Sequence, residues 1–309
     1  MPIHVTPASA NPVLDTLTQE FLDRFSGPAG SIEELRRRMS LADIPQGAAV
    51  QAIDLDVPPD RIRGRLIIPP SASSPSPVLV FLCAAKTAAG SRMRAEGLCH
   101  NLALASQIAV LCLDTGEGLL AERVERALSA LSAIYMSGHS LGIDGTKLAV
   151  AGDGIGAKLA AVVSMIMKDR PAPVISLQIL FNPIFSDRFD TPSHQAFSEG
   201  PWLTSELISQ AFAELGERGN EKLPSPKDAS VRDLDGMPTT LVITAENDIA
   251  RDDGEEFARK LMQAAVRVNA VRFLGTIHDF AILQPLAETP AAQGAIAQAS
   301  ASLKEAFNP

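Results

Sequence analysis

Asp248 and His278 stand in the chain order of the last two members of a Ser…Asp…His triad, in which the histidine moves protons and the aspartate fixes its tautomer. The first member of such a triad is normally the serine of a G-x-S-x-G turn, raised above a sheet where a strand passes into a helix. Gly152-Asp153-Gly154-Ile155-Gly156 has the spacing of that turn, but its central residue is glycine. A base and its orienting acid are present without the hydroxyl they ordinarily serve.

A second stretch, Gly138-His139-Ser140-Leu141-Gly142, does match G-x-S-x-G and would name Ser140 as a nucleophile. Its context is wrong. It follows the helix predicted over Leu120–Met136 and leads into the strand predicted at Lys147, whereas a nucleophile turn follows a strand and opens a helix. It reads as a helix-to-strand loop ending in Gly142.

From about residue 48 onward the chain alternates strand and helix patterns, with uninterrupted apolar runs of the kind buried on both faces of a parallel sheet. The predicted strands are Val50–Val57, Ile62–Ile68, Val78–Cys83, Ile108–Asp114, Lys147–Ala151, Ile175–Phe181, Thr240–Ala245 and Val268–Leu274. The predicted helices among them are Arg92–Ala105, Leu120–Met136, Ile155–Lys168, Arg251–Ala265 and Ala291–Phe307. Pro58-Pro59-Asp60 is a turn too short for a crossover, so the first two strands form an antiparallel hairpin. The expected class is α/β, with a mostly parallel eight-stranded sheet and helices on both faces.

Two segments stand outside the alternation. Val13–Phe25 and Ile32–Met39 read as amphipathic helices, the second opening with Ser31 as cap and Glu34 at the capping-box position. Residues 1–46 are therefore expected to form a helical cap element, and residues 47–309 the core. A cap insertion is expected at about 186–227, with a helix near Thr204–Leu215 that starts on Thr204 as cap and has Glu206 in its first turn. The Ser- and Pro-rich loop Pro69–Pro77 is a solvated connection.

A chain of 309 residues, 46% apolar and 20% charged, suits one soluble domain with a sizeable core. No apolar stretch is long enough to span a bilayer, and the N-terminus has no secretory pattern. Three cysteines without metal or disulfide spacing fit a reducing cytoplasm. A net charge of −9 argues against nucleic acid and anionic membranes as partners. No cofactor is implied. The acidic run Asp248–Glu256 opens a helix, where carboxylates favour the dipole, and is not read as a metal site. A homodimer is compatible with everything in the sequence.

Gly142-Ile143-Asp144 with Lys147-Leu148-Ala149-Val150-Ala151-Gly152-Asp153, Glu199-Gly200-Pro201-Trp202-Leu203-Thr204, Thr244-Ala245-Glu246-Asn247-Asp248 with Arg251-Asp252-Asp253-Gly254-Glu255, and Gly275-Thr276-Ile277-His278-Asp279-Phe280 together resemble one family. It is the hormone-sensitive-lipase-like branch of the α/β hydrolases, bacterial esterases with a helical cap. The resemblance implies the α/β-hydrolase fold, His278 and Asp248 as catalytic pair, and an oxyanion and substrate-binding set of Cys83, Ala84, Ala85, Lys86, Asp153, Gly154 and Ile155. The chain departs from the family at three places bordering one pocket. The elbow G-D-S-A-G-G has Gly154 and Ile155 for its serine and alanine. The oxyanion motif H-G-G-G has become Cys83-Ala84-Ala85-Lys86, and D-Y-R-L-A-P-E has become Asp114-Thr115-Gly116-Glu117-Gly118.

Gly154 removes the acyl-enzyme route, and in serine hydrolases that loss costs about 10⁶ in turnover, about 8 kcal/mol. Lys86 either aims its ammonium at a developing oxyanion or a carboxylate, serves as an amine nucleophile, or turns outward into solvent. Cys83 reads as a packed strand end, and Cys99 and Cys112 as core residues. His100 and His194 have no partner pattern. The leading expectation is a non-hydrolytic catalyst of lyase, dehydratase or cyclase type, with His278 as general base on a carbonyl-containing or acyl small molecule. The alternatives are a ligand-binding protein that no longer catalyses, and a slow hydrolase using a water activated by His278.

Overall fold

The computed structural model describes residues 12–24, 49–57, 60–83, 88–216 and 223–307. Its frame is one eight-stranded sheet: β1 (Ala49–Val57), β2 (Asp60–Ile68), β3 (Ser76–Cys83), β4 (Ala109–Asp114), β5 (Ile143–Asp153), β6 (Ile175–Phe181), β7 (Thr239–Asn247) and β8 (Val268–Ile277). The spatial order is β1-β2-β4-β3-β5-β6-β7-β8. β1 and β2 form the expected antiparallel hairpin, and β2 also runs antiparallel to β4. Every pair from β4 to β8 is parallel.

The crossovers explain which strands are apolar throughout. β3 and β4 are buried along their whole length because helices cover both faces. On one face, α3 (Leu120–Ser137), α4 (Ile155–Met167) and α7 (Arg251–Gln263) pack Leu131, Val162 and Phe257 against alternate strand residues such as Val80, Val150 and Val242. On the other, α1 (Thr16–Arg24), α2 (Ala88–Ser106) and α8 (Pro290–Phe307) pack Phe21, Leu102 and Leu303 against Phe81, Ala151 and Ile243. Among the described residues β8 has a strand neighbour on one side only, and its residues 270–275 alternate between exposed and half-buried.

Among the described residues, two α-helices lie between β6 and β7. α5 (Pro192–Ala196) was not expected, although Thr191-Pro192 is a readable start: the Thr191 hydroxyl accepts from the His194 N–H, and proline takes the first helical position. α6 (Ser205–Leu215) begins where expected, with Thr204 Oγ1 accepting from Leu207 N and Gly216 closing it at φ 63°.

The remaining boundaries differ from expectation at element ends, where local pattern is weakest. The strand expected at Lys147–Ala151 runs from Ile143 to Asp153, and the helix expected at Arg92–Ala105 runs from Ala88 to Ser106. The first N-terminal helix, expected over Val13–Phe25, begins at Thr16 and is described to Arg24. The second, Ile32–Met39 with Ser31 and Glu34, lies outside the described residues. Gly138–Leu141 is a short 3₁₀ turn closed by Gly142 at φ 76°, and Ser140 is exposed with its hydroxyl donating to the Ser137 carbonyl. Its placement between α3 and β5 leaves Ser140 without an acid–base partner among the described residues. No helix among the described residues is long and apolar enough to cross a membrane.

Candidate active site

The C-terminal ends of β5, β7 and β8 bring the singled-out residues together. β5 ends at Asp153, α4 begins at Ile155, and Gly154 makes the bend between them at φ 56°, ψ −116°. That left-handed conformation suits glycine and strains other residues. The bend is tied down on both sides. Gly154 N donates to Phe181 O across to β6 (3.0 Å), and Gly154 O accepts from Ile184 N and Lys158 N (both 3.2 Å). Gly152 and Gly156 allow α4 to lie directly on the strand: a Cβ at Gly152 would come within 2.2 Å of Gly156 C and O.

The Asp248–His278 pair is formed. His278 Nδ1 and Asp248 Oδ2 are 2.8 Å apart, and both residues are buried. Asp248 Oδ1 accepts from Ala250 N at 3.0 Å, which fixes the carboxylate at the entrance to α7. The other ring nitrogen faces the bend, since an ideal Cβ at Gly154 would lie 3.4 Å from His278 Nε2. Asp279 follows with φ 65°, its Oδ1 3.6 Å from Nε2 and its Oδ2 accepting from Trp202 Nε1 at 3.2 Å. Asp153, half-buried, accepts from Asn182 Nδ2 at 3.3 Å.

Three carboxylates therefore surround one imidazole. Burial, the largest influence on the ring, works to lower its pKa, but the charges of Asp248, Asp279 and Asp153 and the hydrogen bond from Asp248 outweigh it and push the value up to about 10. The shift favours the doubly protonated ring at neutral pH. The general-base role expected from sequence requires that proton to leave first, so the ring begins as a proton donor.

Above the bend sits a small apolar cluster of Ile184, Ile208, Phe212, Ile249 and Ala250, with Ile155, Phe189, Phe197 and Leu203 packed against it. Four of these residues come from the connection between β6 and α6 and two from α6 itself. Ile155 also opens α4, whose first-turn N–H groups have no acceptor within the helix. Of the expected oxyanion set, Ala84, Ala85 and Lys86 lie outside the described residues. Cys83 is a packed strand end: its carbonyl accepts from Thr115 N (3.2 Å) and Thr115 Oγ1 (2.7 Å), and its sulfur touches Cys112.

Sequence reading passed over the residues that clamp this acid loop. Ser193, fully buried, donates from its hydroxyl to Ile249 O and from its N–H to Asp252 Oδ2, both at 2.8 Å. His194, to which no role was given, lies 3.9 Å from Asp253, whose carboxylate pairs with Lys227 Nζ at 2.9 Å. The sequence signal was the Thr-Pro-Ser-His helix start itself. Asp153, His278 and Asp279 bring ligand-type atoms within 4.8 Å of one another, as do Asp190, His194 and Asp253. In the second group the Lys227 ammonium already stands against Asp190 and Asp253 as the cation.

A family described as alpha/beta hydrolase fold matches residues 84–282, which spans the bend, the acid loop and the histidine loop. The chain belongs to that family. Among the curated relatives of this alpha/beta hydrolase-fold protein, R526 of Acanthamoeba polyphaga mimivirus, named as an alpha/beta hydrolase, is 34% identical over 172 residues, covering 55% of this chain. The match takes in 50% of R526, so the chain spans about half the length of that relative. Carboxylesterase NlhH of Mycobacterium tuberculosis is 26% identical over 321 residues, covering 98% of this chain and 99% of NlhH. Among solved structures, a thermostable esterase from Pseudomonas putida superimposes with TM-score 0.87 at 27% identity, over 97% of this chain and 99% of that one. The alpha/beta hydrolase-fold protein thus has esterases as relatives across nearly its whole length.

Proposed function

We propose that this chain is a non-hydrolytic catalyst of lyase, dehydratase or cyclase type, in which Gly154 stands where the family's esterases carry a serine. The His278–Asp248 pair moves a proton at a carbonyl-containing or acyl small molecule, with no seryl intermediate. One observation carries this reading: the bend keeps its strained shape with a Cβ position 3.4 Å from His278 Nε2, yet bears no side chain, while the histidine keeps a 2.8 Å bond to its carboxylate.

The ring enters the cycle protonated. It donates that proton to a carbonyl oxygen or a departing hydroxyl, and as the neutral imidazole it then accepts one from carbon or water. Asp248 holds Nδ1–H throughout, so the transferred proton is the one on Nε2. Backbone N–H groups at Ile155 and, by the family resemblance, in the Cys83-Ala84-Ala85-Lys86 segment would position the carbonyl oxygen, while the Asp153 carboxylate would accept from a donor group of the substrate. The apolar cluster, to which residues 186–227 contribute Phe189, Phe197, Leu203, Ile208 and Phe212, would receive the rest of the substrate. A cytoplasmic setting and a homodimer belong to the same proposal.

The names of the relatives favour a second reading, slow hydrolysis of small esters by a water standing in the cleared volume over Gly154. A fluorophosphonate probe, which labels activated serines, should leave the protein unmodified under either reading. The two separate when a panel of β-hydroxy carbonyl compounds and small esters is followed by mass spectrometry. Loss of water or carbon–carbon cleavage supports the first reading, and uptake of one ¹⁸O from labelled water into a carboxylate product supports the second. With a substrate in hand, His278→Ala should lower turnover by about 10²–10⁴ with little change in binding. Unchanged turnover, or tight binding without conversion, overturns catalysis altogether.

A further inference from the structure

Asp279 holds a backbone shape that suits glycine, φ 65°, yet carries a side chain whose two oxygens have separate neighbours. Oδ2 accepts the Trp202 indole N–H at 3.2 Å, whereas Oδ1 stands 3.6 Å from His278 Nε2, too far for a hydrogen bond. Backbone strain of this kind persists where the surroundings over-determine it, and it gathers at active sites. The carboxylate is also the more open partner, its side chain 10% exposed against 4% for the imidazole. Nε2 faces the volume over Gly154, so Oδ1 stands beside that volume.

Loss of water from a β-hydroxy carbonyl compound needs two proton-moving groups at once, a base for the Cα proton and an acid for the departing hydroxyl. The imidazole, its pKa pushed up to about 10, enters as the acid. A second group must be the base. We propose that Asp279 is that catalytic base, and that the chain removes water from a β-hydroxy carbonyl compound with acid and base on the same face of the substrate. This rests on the dehydratase reading of the site. Asp248 is committed elsewhere, its Oδ2 to His278 Nδ1 and its Oδ1 to Ala250 N. Asp153, at the end of β5, accepts from Asn182.

Asp279 Oδ1 takes the Cα proton, and the electron pair of that C–H bond becomes the Cα=Cβ bond as the Cβ–O bond breaks. The leaving hydroxyl takes the Nε2 proton and departs as water. Asp279 is then a neutral acid beside a neutral imidazole. Imidazole is the stronger base of the two, so the proton crosses from Oδ1 to Nε2 and restores both groups to their starting state. The 3.6 Å gap sets this return within one small side-chain movement. Because Trp202 occupies Oδ2, Oδ1 is the oxygen that meets the substrate proton. Neighbouring acid and base also fix the stereochemistry: proton and hydroxyl leave from one side, a syn elimination.

Asp279→Asn removes the basicity and little else, since asparagine tolerates the left-handed backbone and its amide oxygen still accepts from Trp202. The probes are 4-hydroxybutan-2-one and the N-acetylcysteamine thioester of 3-hydroxybutanoate, with water loss followed by the absorbance of the conjugated product. The wild-type chain should convert at least one of them, and Asp279→Asn should lower that turnover by about 10²–10⁴. A thioester carrying deuterium at the Cα position whose syn loss gives the E alkene should release it to water, a result that needs no variant. Turnover kept in Asp279→Asn, deuterium kept in the product, or activity lost only in Asp153→Asn overturns the role of Asp279 and leaves the dehydratase reading standing. If the wild-type chain removes water from neither probe, that reading falls and this one falls with it.

Discussion

Trp202 donates its indole N–H to Asp279, the residue that directly follows His278, so a side chain from the connection between β6 and α6 reaches the proton pocket itself. Its ring also rests against Phe21 of α1, with centroids 5.0 Å apart. Two segments outside the sheet thereby meet over one carboxylate. Trp202→Phe keeps most of the ring packing and removes the donor. It should cost about 1–3 kcal/mol, the usual penalty for a buried acceptor left short of a partner. Equilibrium urea unfolding measures it, and an unchanged midpoint would mean the bond contributes nothing.

Gly154→Ser should place a hydroxyl in hydrogen-bond reach of His278 Nε2, because the Cβ site is 3.4 Å from that nitrogen and meets no backbone. At φ 56° the added side chain should cost about 1–3 kcal/mol of stability. The variant should gain fluorophosphonate labelling that the parent lacks. Labelling at any other serine would refute the geometry.

The imidazole makes stability fall with rising pH. Its folded-state pKa, about 10, lies above the ordinary 6.5, so the folded protein holds a proton that the unfolded chain has released between those values. The stabilisation is complete below about pH 6.5 and is lost as pH climbs through about 10. Thermal midpoints should decline across that window in the parent and decline less in His278→Gln. Nitrogen-15 NMR of the ring should show both nitrogens protonated at pH 7, and a neutral ring there would contradict the electrostatics.

Lys227 bridges Asp253, Glu256 and Asp190 at 2.9, 3.0 and 3.3 Å, with Asp253 wholly enclosed. Lys227→Met leaves that carboxylate without its cation and should destabilise the protein by about 3–5 kcal/mol, the lower end applying where Asp253 takes up a proton instead. Burial already pushes Asp253 upward, which makes that uptake easy. Unfolding curves at pH 5 and pH 8 should show a smaller penalty at the lower pH.

The fold was readable because its strongest signals are local. Apolar runs such as Val78–Cys83 and Ile175–Phe181 are strands buried on both faces, short enough and bounded closely enough by turn residues to be told from helices. The pairing of Asp248 with His278 was readable through motif order and is present as a 2.8 Å contact. The upward push on the ring's pKa was not, since it is a sum over three carboxylates in which Asp153 arrives from the end of β5 and the orientation of Asp279 depends on the fold, distances that sequence spacing does not contain. Ser193 and His194 were missed for a related reason. A five-residue helix carries too little periodicity to register, and its partners Ile249, Asp252 and Asp253 lie some 56 to 59 positions away.

β5, which carries the bend, is gripped by β3 and β6 in the middle of the sheet, whereas His278 follows β8, which among the described residues is paired with β7 alone. Opening an edge strand breaks one ladder; opening a central one breaks two. Amide protons of β8 should therefore exchange through partial openings cheaper than global unfolding, and those around Gly154 only when the whole sheet comes apart. The pocket has a permanent floor and a detachable wall, and it is the wall that carries the proton.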